Sequence, residues 1–129
     1  MDLSATLLVV EDDVLVRWMI ADYLRGAGFE VLEAGTADEA IGMLQSGAHV
    51  ELVFSDIRMP GSMDGRALAA RIRSDWPEIA VILTTGYANT DPRLTNGSEF
   101  LVLPKPYRPH AVLSAIEYLV AAKRPPAHH

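Results

Sequence analysis

The feature that most constrains the fold is a set of short apolar runs that contain no alternating polar residues. The four clear runs are Leu7–Val10, Leu52–Phe54, Val81–Leu83 and Phe100–Leu103. A continuously apolar strand is covered on both faces, which is typical of a parallel sheet with helices on each side. Phe29–Leu32 is a weaker fifth run, which we expect nearer the edge of the sheet.

Segments with helical spacing of apolar residues separate these runs. The first ends at the glycines of Gly26–Gly28, Thr36 and Glu39 form a capping box for the second, and Asp64 is placed to cap a third. Strands that alternate with helices predict an α/β fold. Five strands suit a flavodoxin-like, doubly wound parallel sheet of order 2-1-3-4-5. Ligands of such sheets lie at the carboxyl ends of the strands, near the switch in strand order.

Composition excludes several classes of protein. The chain has no cysteine, so disulfides and thiolate metal sites are ruled out. Its formal net charge is −6 and its basic residues do not cluster, which argues against nucleic-acid binding. No apolar run approaches the ~20 residues of a membrane span, so we expect a cytoplasmic protein with no membrane partner. We place one domain at residues 1–122 and a disordered, Pro-rich tail at 123–129.

Four of the predicted strands end in residues that carry a charge or a hydroxyl group. Glu11, Asp12 and Asp13 follow the first strand, Asp56 ends the third, Thr84 and Thr85 end the fourth, and Lys105 follows the fifth. The carboxyl ends of parallel strands share one edge of the sheet, so these groups are expected to converge. Crowded carboxylates have raised pKa values, and a divalent cation relieves their repulsion.

The chemistry of this set points to phosphoryl transfer. Its hard oxygen ligands are too few for a complete protein cage, which favours Mg²⁺ with bound water and a phosphoryl oxygen over Ca²⁺. Lys105 would supply a positive charge for phosphate and Thr85 a hydroxyl donor. The motif G-x-x-x-x-G-K-[ST] is absent, so bound ATP is not the expected donor. Asp56 is then the natural nucleophile, because a carboxylate forms an acyl phosphate.

Taken together, these motifs resemble the receiver domains of two-component response regulators, from about Thr6 to Val120. They are the acidic pair after the first strand, D-I-R-M-P-G-S-M-D-G at Asp56–Gly65, the Thr-Gly step, and Lys105–Pro106. The resemblance implies a phosphoacceptor in a His–Asp phosphorelay, which takes its phosphoryl group from a histidine kinase or a histidine phosphotransfer protein. Such a domain catalyses only its own phosphorylation and dephosphorylation, and it signals by a conformational change.

The resemblance also assigns the phosphoacceptor and the ligands of Mg²⁺. Asp56 would accept the phosphoryl group and contact the metal ion. Asp12 would bind Mg²⁺ directly, and Glu11 would bind it through water. The backbone carbonyl of Arg58 would be the third protein ligand.

The remaining assignments concern the switch. Thr85 would be the switch hydroxyl, and Lys105 would contact the phosphoryl group and precede a cis bond to Pro106. The chain departs from the family pattern at Val102, where relatives commonly carry an aromatic side chain that moves on activation. The polar segment before it predicts a short or mobile fourth helix, and its TTGY resembles a receiver subgroup with ATGY. We therefore expect the signal to leave through Tyr87–Glu99.

Two other functions remain open at this point. One is a receiver-like interaction domain that works without phosphorylation, against which the complete set of acids, hydroxyl and lysine argues. The other is an aspartate-nucleophile phosphatase, although such enzymes usually carry D-x-D where Asp12 and Asp13 are adjacent here. We interpret Asp13 as a structural acid, and Trp18 and Trp76 as packing residues. The sequence does not decide whether the chain forms a weak homodimer. It also does not decide whether the receiver stands alone or belongs to a larger protein.

Overall fold

Strands and helices alternate along residues 5–59, 61, 63–86 and 101–123, the part of the chain that the computed structural model describes. In chain order, these elements are β1 (Thr6–Val10), α1 (Val14–Gly26), β2 (Glu30–Ala34), α2 (Ala37–Gln45), β3 (Leu52–Asp56), α3 (Gly65–Asp75), β4 (Ala80–Thr85), β5 (Leu101–Pro104) and α4 (Pro109–Lys123). The predicted alternation is therefore confirmed.

The described strands form one parallel sheet in the order β2-β1-β3-β4-β5. This is the predicted flavodoxin-like order, with the weakest apolar run at an edge. The last paired residues of β1 and β3 are Val10 and Ser55. The next residues, Glu11 and Asp56, therefore lie side by side at the carboxyl ends of β1 and β3, at the switch in strand order.

The strands are apolar throughout because both faces of the sheet are covered. Leu8 and Val10 of β1 pack in a layer with α2 and α3, whereas Leu7 and Val9 pack in the opposite layer with α1 and α4. All four are at most 1% exposed. Successive side chains of a strand point to opposite faces, so two covered faces remove the polar alternation of a half-exposed strand.

Side-chain caps begin three of the helices. Asp13 accepts from the N–H groups two and three residues on, and Asp64 and Thr36 each accept from the N–H three residues on. Asp13 therefore has the structural role we expected. The capping box needs one correction, because Glu39 Oε1 accepts from the N–H of Gly35 at 2.7 Å and not from that of Thr36. The glutamate reaches one residue further back than the motif predicts.

Some predictions lie at or beyond the limits of the described residues. The helix predicted between β4 and β5, the exit route through Tyr87–Glu99 and residues 124–129 of the predicted tail lie outside them. Lys123, which we assigned to the tail, is the last residue of α4. Val102 is half-buried in β5 and pairs with Leu83 of β4. Among the described helices, none is both long enough and apolar enough to span a bilayer.

Candidate functional site

Three carboxylates meet where β1 and β3 end. Glu11, Asp12 and Asp56 each offer an oxygen, and these oxygens lie within 4.8 Å of one another. Glu11 and Asp56 are only 6% and 7% exposed, whereas Asp12 is open to solvent. The predicted convergence of acids is therefore present, and it combines two buried carboxylates with one that a dissolved ion can reach.

Lys105 supplies the positive charge of the site. Its Nζ donates to Asp56 Oδ2 at 2.6 Å and lies 3.9 Å from Glu11 Oε1. The peptide bond from Lys105 to Pro106 is cis, as the resemblance implies. Partial burial by itself lowers the pKa of the Lys105 ammonium, but the hydrogen bond and the charge of Asp56 outweigh it and leave that pKa raised. The lysine therefore remains charged beside the carboxylates at neutral pH.

Backbone groups orient the rest of the cluster. The second oxygen of Asp56, Oδ1, accepts from the N–H of Arg58 at 3.1 Å, so both carboxylate oxygens have a donor. Thr85 ends β4, is 8% exposed, and accepts with its backbone carbonyl from the N–H of Lys105 at 2.7 Å. The fold thus brings the predicted threonine, lysine and aspartate to neighbouring strand ends.

The acidity of Glu11 is perturbed by its surroundings. Burial, followed by the nearby charge of Asp56, raises its pKa from 4.5 to about 7, although a hydrogen bond from Asp13 and the charge of Lys105 act against the rise. The Asp13 N–H donates to Glu11 Oε2 at 3.1 Å. Repulsion in this cluster was predicted from the sequence, and a bound cation would relieve it.

The raised pKa of Glu11 predicts a pH dependence. Between pH 4.5 and about 7 the folded state holds this proton more tightly than the unfolded state, so the free energy of unfolding should fall as pH rises through that window. At ~1.4 kcal/mol per pKa unit, the rise from 4.5 to about 7 corresponds to a loss on the order of 3–4 kcal/mol. A divalent cation such as Mg²⁺ held by this cluster would require the ionised carboxylate, so its affinity should rise about tenfold between about pH 6 and pH 8.

Urea unfolding and Mg²⁺ titration across this range measure both effects. Glu11→Gln serves as the control, because it retains the size of the side chain and cannot ionise. Its stability and affinity should vary much less with pH. A wild-type stability that stays level between about pH 5 and pH 7 would contradict the assignment.

Two residues whose contacts the sequence did not reveal bond to the main chain next to the site. The N–H of Gly65 donates to the carbonyl of Ile57 at 2.8 Å, which draws the start of α3 against the end of β3. Arg17 donates from Nη1 to the carbonyl of Glu11 at 2.9 Å. Gly65 closes the recognised Asp56–Gly65 motif, but no sequence motif links Arg17 to Glu11.

An apolar groove of about 860 Å³ lies beside the carboxylates, between α1 and the segment that follows β5. Its lining includes Trp18 and Met19 of α1 together with Lys105, Pro106 and Tyr107. Trp18 and Met19 are 54% and 57% exposed. The interpretation of Trp18 as a packing residue is therefore wrong, because the buried residues of α1 are Ile20, Ala21 and Leu24.

The family model and similar known proteins all point to the same family. Residues 7–117 match the family described as the response regulator receiver domain. The chain is 37% identical over 107 residues to the sensor kinase CckA of Brucella abortus, and 37% identical over 126 residues to the transcriptional regulatory protein AruR of Pseudomonas aeruginosa. These alignments cover 81% and 91% of this chain, which spans only 11% and 50% of the two relatives.

Solved structures share the fold over nearly the whole chain. A response regulator receiver protein from Sinorhizobium medicae has a TM-score of 0.85 at 26% identity, with coverage of 94% of this chain and 98% of that one. The response regulator TrrA of Thermotoga maritima, solved in complex with Mg²⁺ and BeF, has a TM-score of 0.76 at 25% identity. That alignment covers 89% of this chain and 98% of the TrrA chain.

Proposed function

Because this chain belongs to the response regulator receiver domain family, the phosphoacceptor domains of two-component signalling, we propose that Asp56 is its phosphoacceptor. The donor is a histidine kinase or a histidine phosphotransfer protein, and the reaction requires Mg²⁺. The observation that carries the proposal is the contact of 2.6 Å between Lys105 Nζ and Asp56 Oδ2, inside a cluster of three carboxylates. We place the receiver domain at residues 1–122.

The geometry suits a carboxylate nucleophile. An oxygen of Asp56 forms a bond to phosphorus while the bond from phosphorus to the donor's imidazole nitrogen breaks, and the product is an acyl phosphate. The end of β3 holds the backbone of Asp56, and the donors on its two oxygens orient the carboxylate. Lys105 can then transfer its hydrogen bond from Asp56 to a phosphoryl oxygen, which stabilises the developing charge.

The carboxylate cluster fits Mg²⁺. Glu11, Asp12 and Asp56 would hold the ion with the backbone carbonyl of Arg58, and the ion would neutralise charge on the phosphoryl oxygens. The fit rests on the donor set, which is all oxygen, and on the raised pKa of Glu11, which reflects its burial and the nearby charge of Asp56 that a cation would offset. The complex of the related TrrA with Mg²⁺ and BeF supports this assignment.

Thr85 is the proposed switch hydroxyl, since it ends β4 beside the strand that carries Asp56. Val102 carries no ring that could move on phosphorylation, so we propose that the signal leaves through Tyr87–Glu99. The chain accelerates only its own phosphorylation and dephosphorylation.

Phosphorylation from acetyl phosphate tests the function. With Mg²⁺, intact-mass measurement should show one added phosphoryl group, and a chelator should abolish it. Asp12→Asn should weaken Mg²⁺ binding at least tenfold, because it removes the ligand that solvent can reach. Asp13→Asn is the matched control, since asparagine caps a helix as well as aspartate and the Mg²⁺ affinity should stay within about twofold. An unlabelled wild type would favour the interaction domain that works without phosphorylation.

The apolar groove supports a protein as the natural donor. Trp18 and Met19 lie exposed on α1, and the groove that they line shares Lys105 with the phosphoacceptor site. A large apolar surface at this place can bury against the donor while its phosphohistidine reaches Asp56. The donor would therefore contact α1 and the segment after β5 together.

Transfer from protein donors tests this docking. Profiling against the histidine kinases of the same genome would identify the donor, and Trp18→Ala should slow its transfer about tenfold or more. Labelling from acetyl phosphate should stay within about twofold of the wild type, because so small a donor needs no docking surface. Equal rates from the kinase for both proteins would contradict this role of Trp18.

A further inference from the structure

We propose that Arg17 is a positioning residue for the metal ion, which it does not touch. It holds the main chain of Glu11 in the conformation that brings the carboxylates of Glu11 and Asp12 close to that of Asp56. The inference rests on the proposed Mg²⁺ site. It concerns a residue that none of the recognised motifs contains.

Both the carbonyl and the N–H of Glu11 are hydrogen-bonded. Its carbonyl accepts from Arg17 Nη1 at 2.9 Å, and its N–H donates to the carbonyl of Ala34 at 3.0 Å. Arg17 Nε also donates to Glu33 Oε1 at 3.2 Å. The Arg17 side chain is only 19% exposed, so these charge-assisted hydrogen bonds are partly shielded from water. One guanidinium therefore joins α1 and β2 to the residue that begins the acidic cluster.

Glu33, the partner of Arg17, also pairs with Arg25. Glu33 Oε2 lies 3.1 Å from Arg25 Nη1, and Arg25 Nη2 donates to the carbonyl of Val31 at 2.7 Å. Gly35 leaves room for the arrangement, because a Cβ there would lie 3.2 Å from Arg17 Nη1. A planar guanidinium can donate to Glu11 and Glu33 together, whereas the single ammonium of a lysine cannot hold both in the same geometry.

Charge and position predict opposite effects when Arg17 is removed. A positive charge beside a cation site repels the cation, so loss of the charge alone would strengthen Mg²⁺ binding. Loss of positioning would let the turn at Glu11 and Asp12 move and would weaken binding. The sign of the change in affinity therefore separates the two roles.

The experiment is calorimetric titration of Mg²⁺ into the intact protein. Arg17→Met should raise the Mg²⁺ dissociation constant about tenfold, the range seen when residues that support metal ligands are lost. Arg25→Met is the matched control, because Arg25 also pairs with Glu33 but makes no contact with Glu11 in the described structure. Its dissociation constant should stay within about twofold of the wild type, even if its melting temperature falls as far as that of Arg17→Met.

The possible results distinguish failure of the positioning role from failure of the metal site. An unchanged or tighter affinity in Arg17→Met, or an equal loss in Arg25→Met, overturns the positioning role. A wild type that binds no Mg²⁺ overturns the metal site of the proposed function instead. If Arg17→Met does not fold, Arg17→Lys and Gly35→Ala replace it, and each should weaken binding by a smaller factor. Unchanged affinity in both of these would overturn the proposal equally.

Discussion

Asp56→Asn should abolish phosphoryl incorporation from acetyl phosphate and leave the fold in place. An amide has nearly the size of the carboxylate but lacks its nucleophilic oxygen, so no acyl phosphate can form. The fold should tolerate the change, because it removes one of three crowded carboxylates and therefore part of the repulsion. Lys105 would still lie near Glu11, at 3.9 Å in the present structure.

Intact-mass measurement with Mg²⁺ and acetyl phosphate decides this result. The matched control is Asp64→Asn, which makes the same chemical change at the N-cap of α3, where asparagine caps as well as aspartate. Asp64→Asn should be labelled like the wild type, and Asp56→Asn should show no added mass. Labelling of Asp56→Asn at the rate of the wild type would place the phosphoacceptor elsewhere.

Gly65→Ala should destabilise the fold severely. A Cβ at this position would lie 2.2 Å from the carbonyl oxygen of Asp56 and 2.7 Å from the Cα of Ile57. Both are backbone atoms, so the overlap cannot be relieved by turning a side chain. The start of α3 must move away from the end of β3, and we expect a loss of about 3 kcal/mol or more of unfolding free energy.

Urea denaturation measures this loss, and Gly42→Ala is its control. Gly42 lies on the exposed side of α2, where an added Cβ meets no atom within 4 Å. Alanine there should stabilise the protein by about 0.5–1 kcal/mol, because glycine is a poor helix former. The same substitution should thus act with opposite signs at the two glycines. A Gly65→Ala protein as stable as the wild type would contradict the close approach.

The described fold and the placement of the acids could be predicted because they depend on patterns among residues that are close together in the sequence. Unbroken apolar runs predicted strands that are covered on both faces. The residues that follow these runs predicted which side chains converge at the carboxyl ends of the strands. Thr36 and Asp64 predicted the starts of α2 and α3, because a cap acts on N–H groups only a few residues away. The chemistry of Asp56, Thr85 and Lys105 was inferred from their residue types and positions, the individual ligands of Mg²⁺ came from the resemblance, and all of these roles stay predictions.

What the sequence did not reveal depends on contacts between distant segments. Arg17 meets Glu33, which lies sixteen residues further along the chain, only after β2 has paired with β1. The close approach of Gly65 depends on the path that the loop after β3 takes. Met19 directly precedes the buried Ile20 of α1, yet it lies exposed, and helical periodicity alone does not define how wide the buried stripe is.

The side of β2 that faces away from β1 also limits how copies of this chain can associate. An unpaired strand edge is a template on which a second chain can add a strand. Here the guanidinium of Arg25 donates a hydrogen bond to the carbonyl of Val31, and β2 carries the charges of Glu30 and Glu33. A strand added there would have to displace the guanidinium and approach both carboxylates. Extension of the sheet from the β2 edge is therefore unfavourable, which directs any association between copies of the chain to other surfaces.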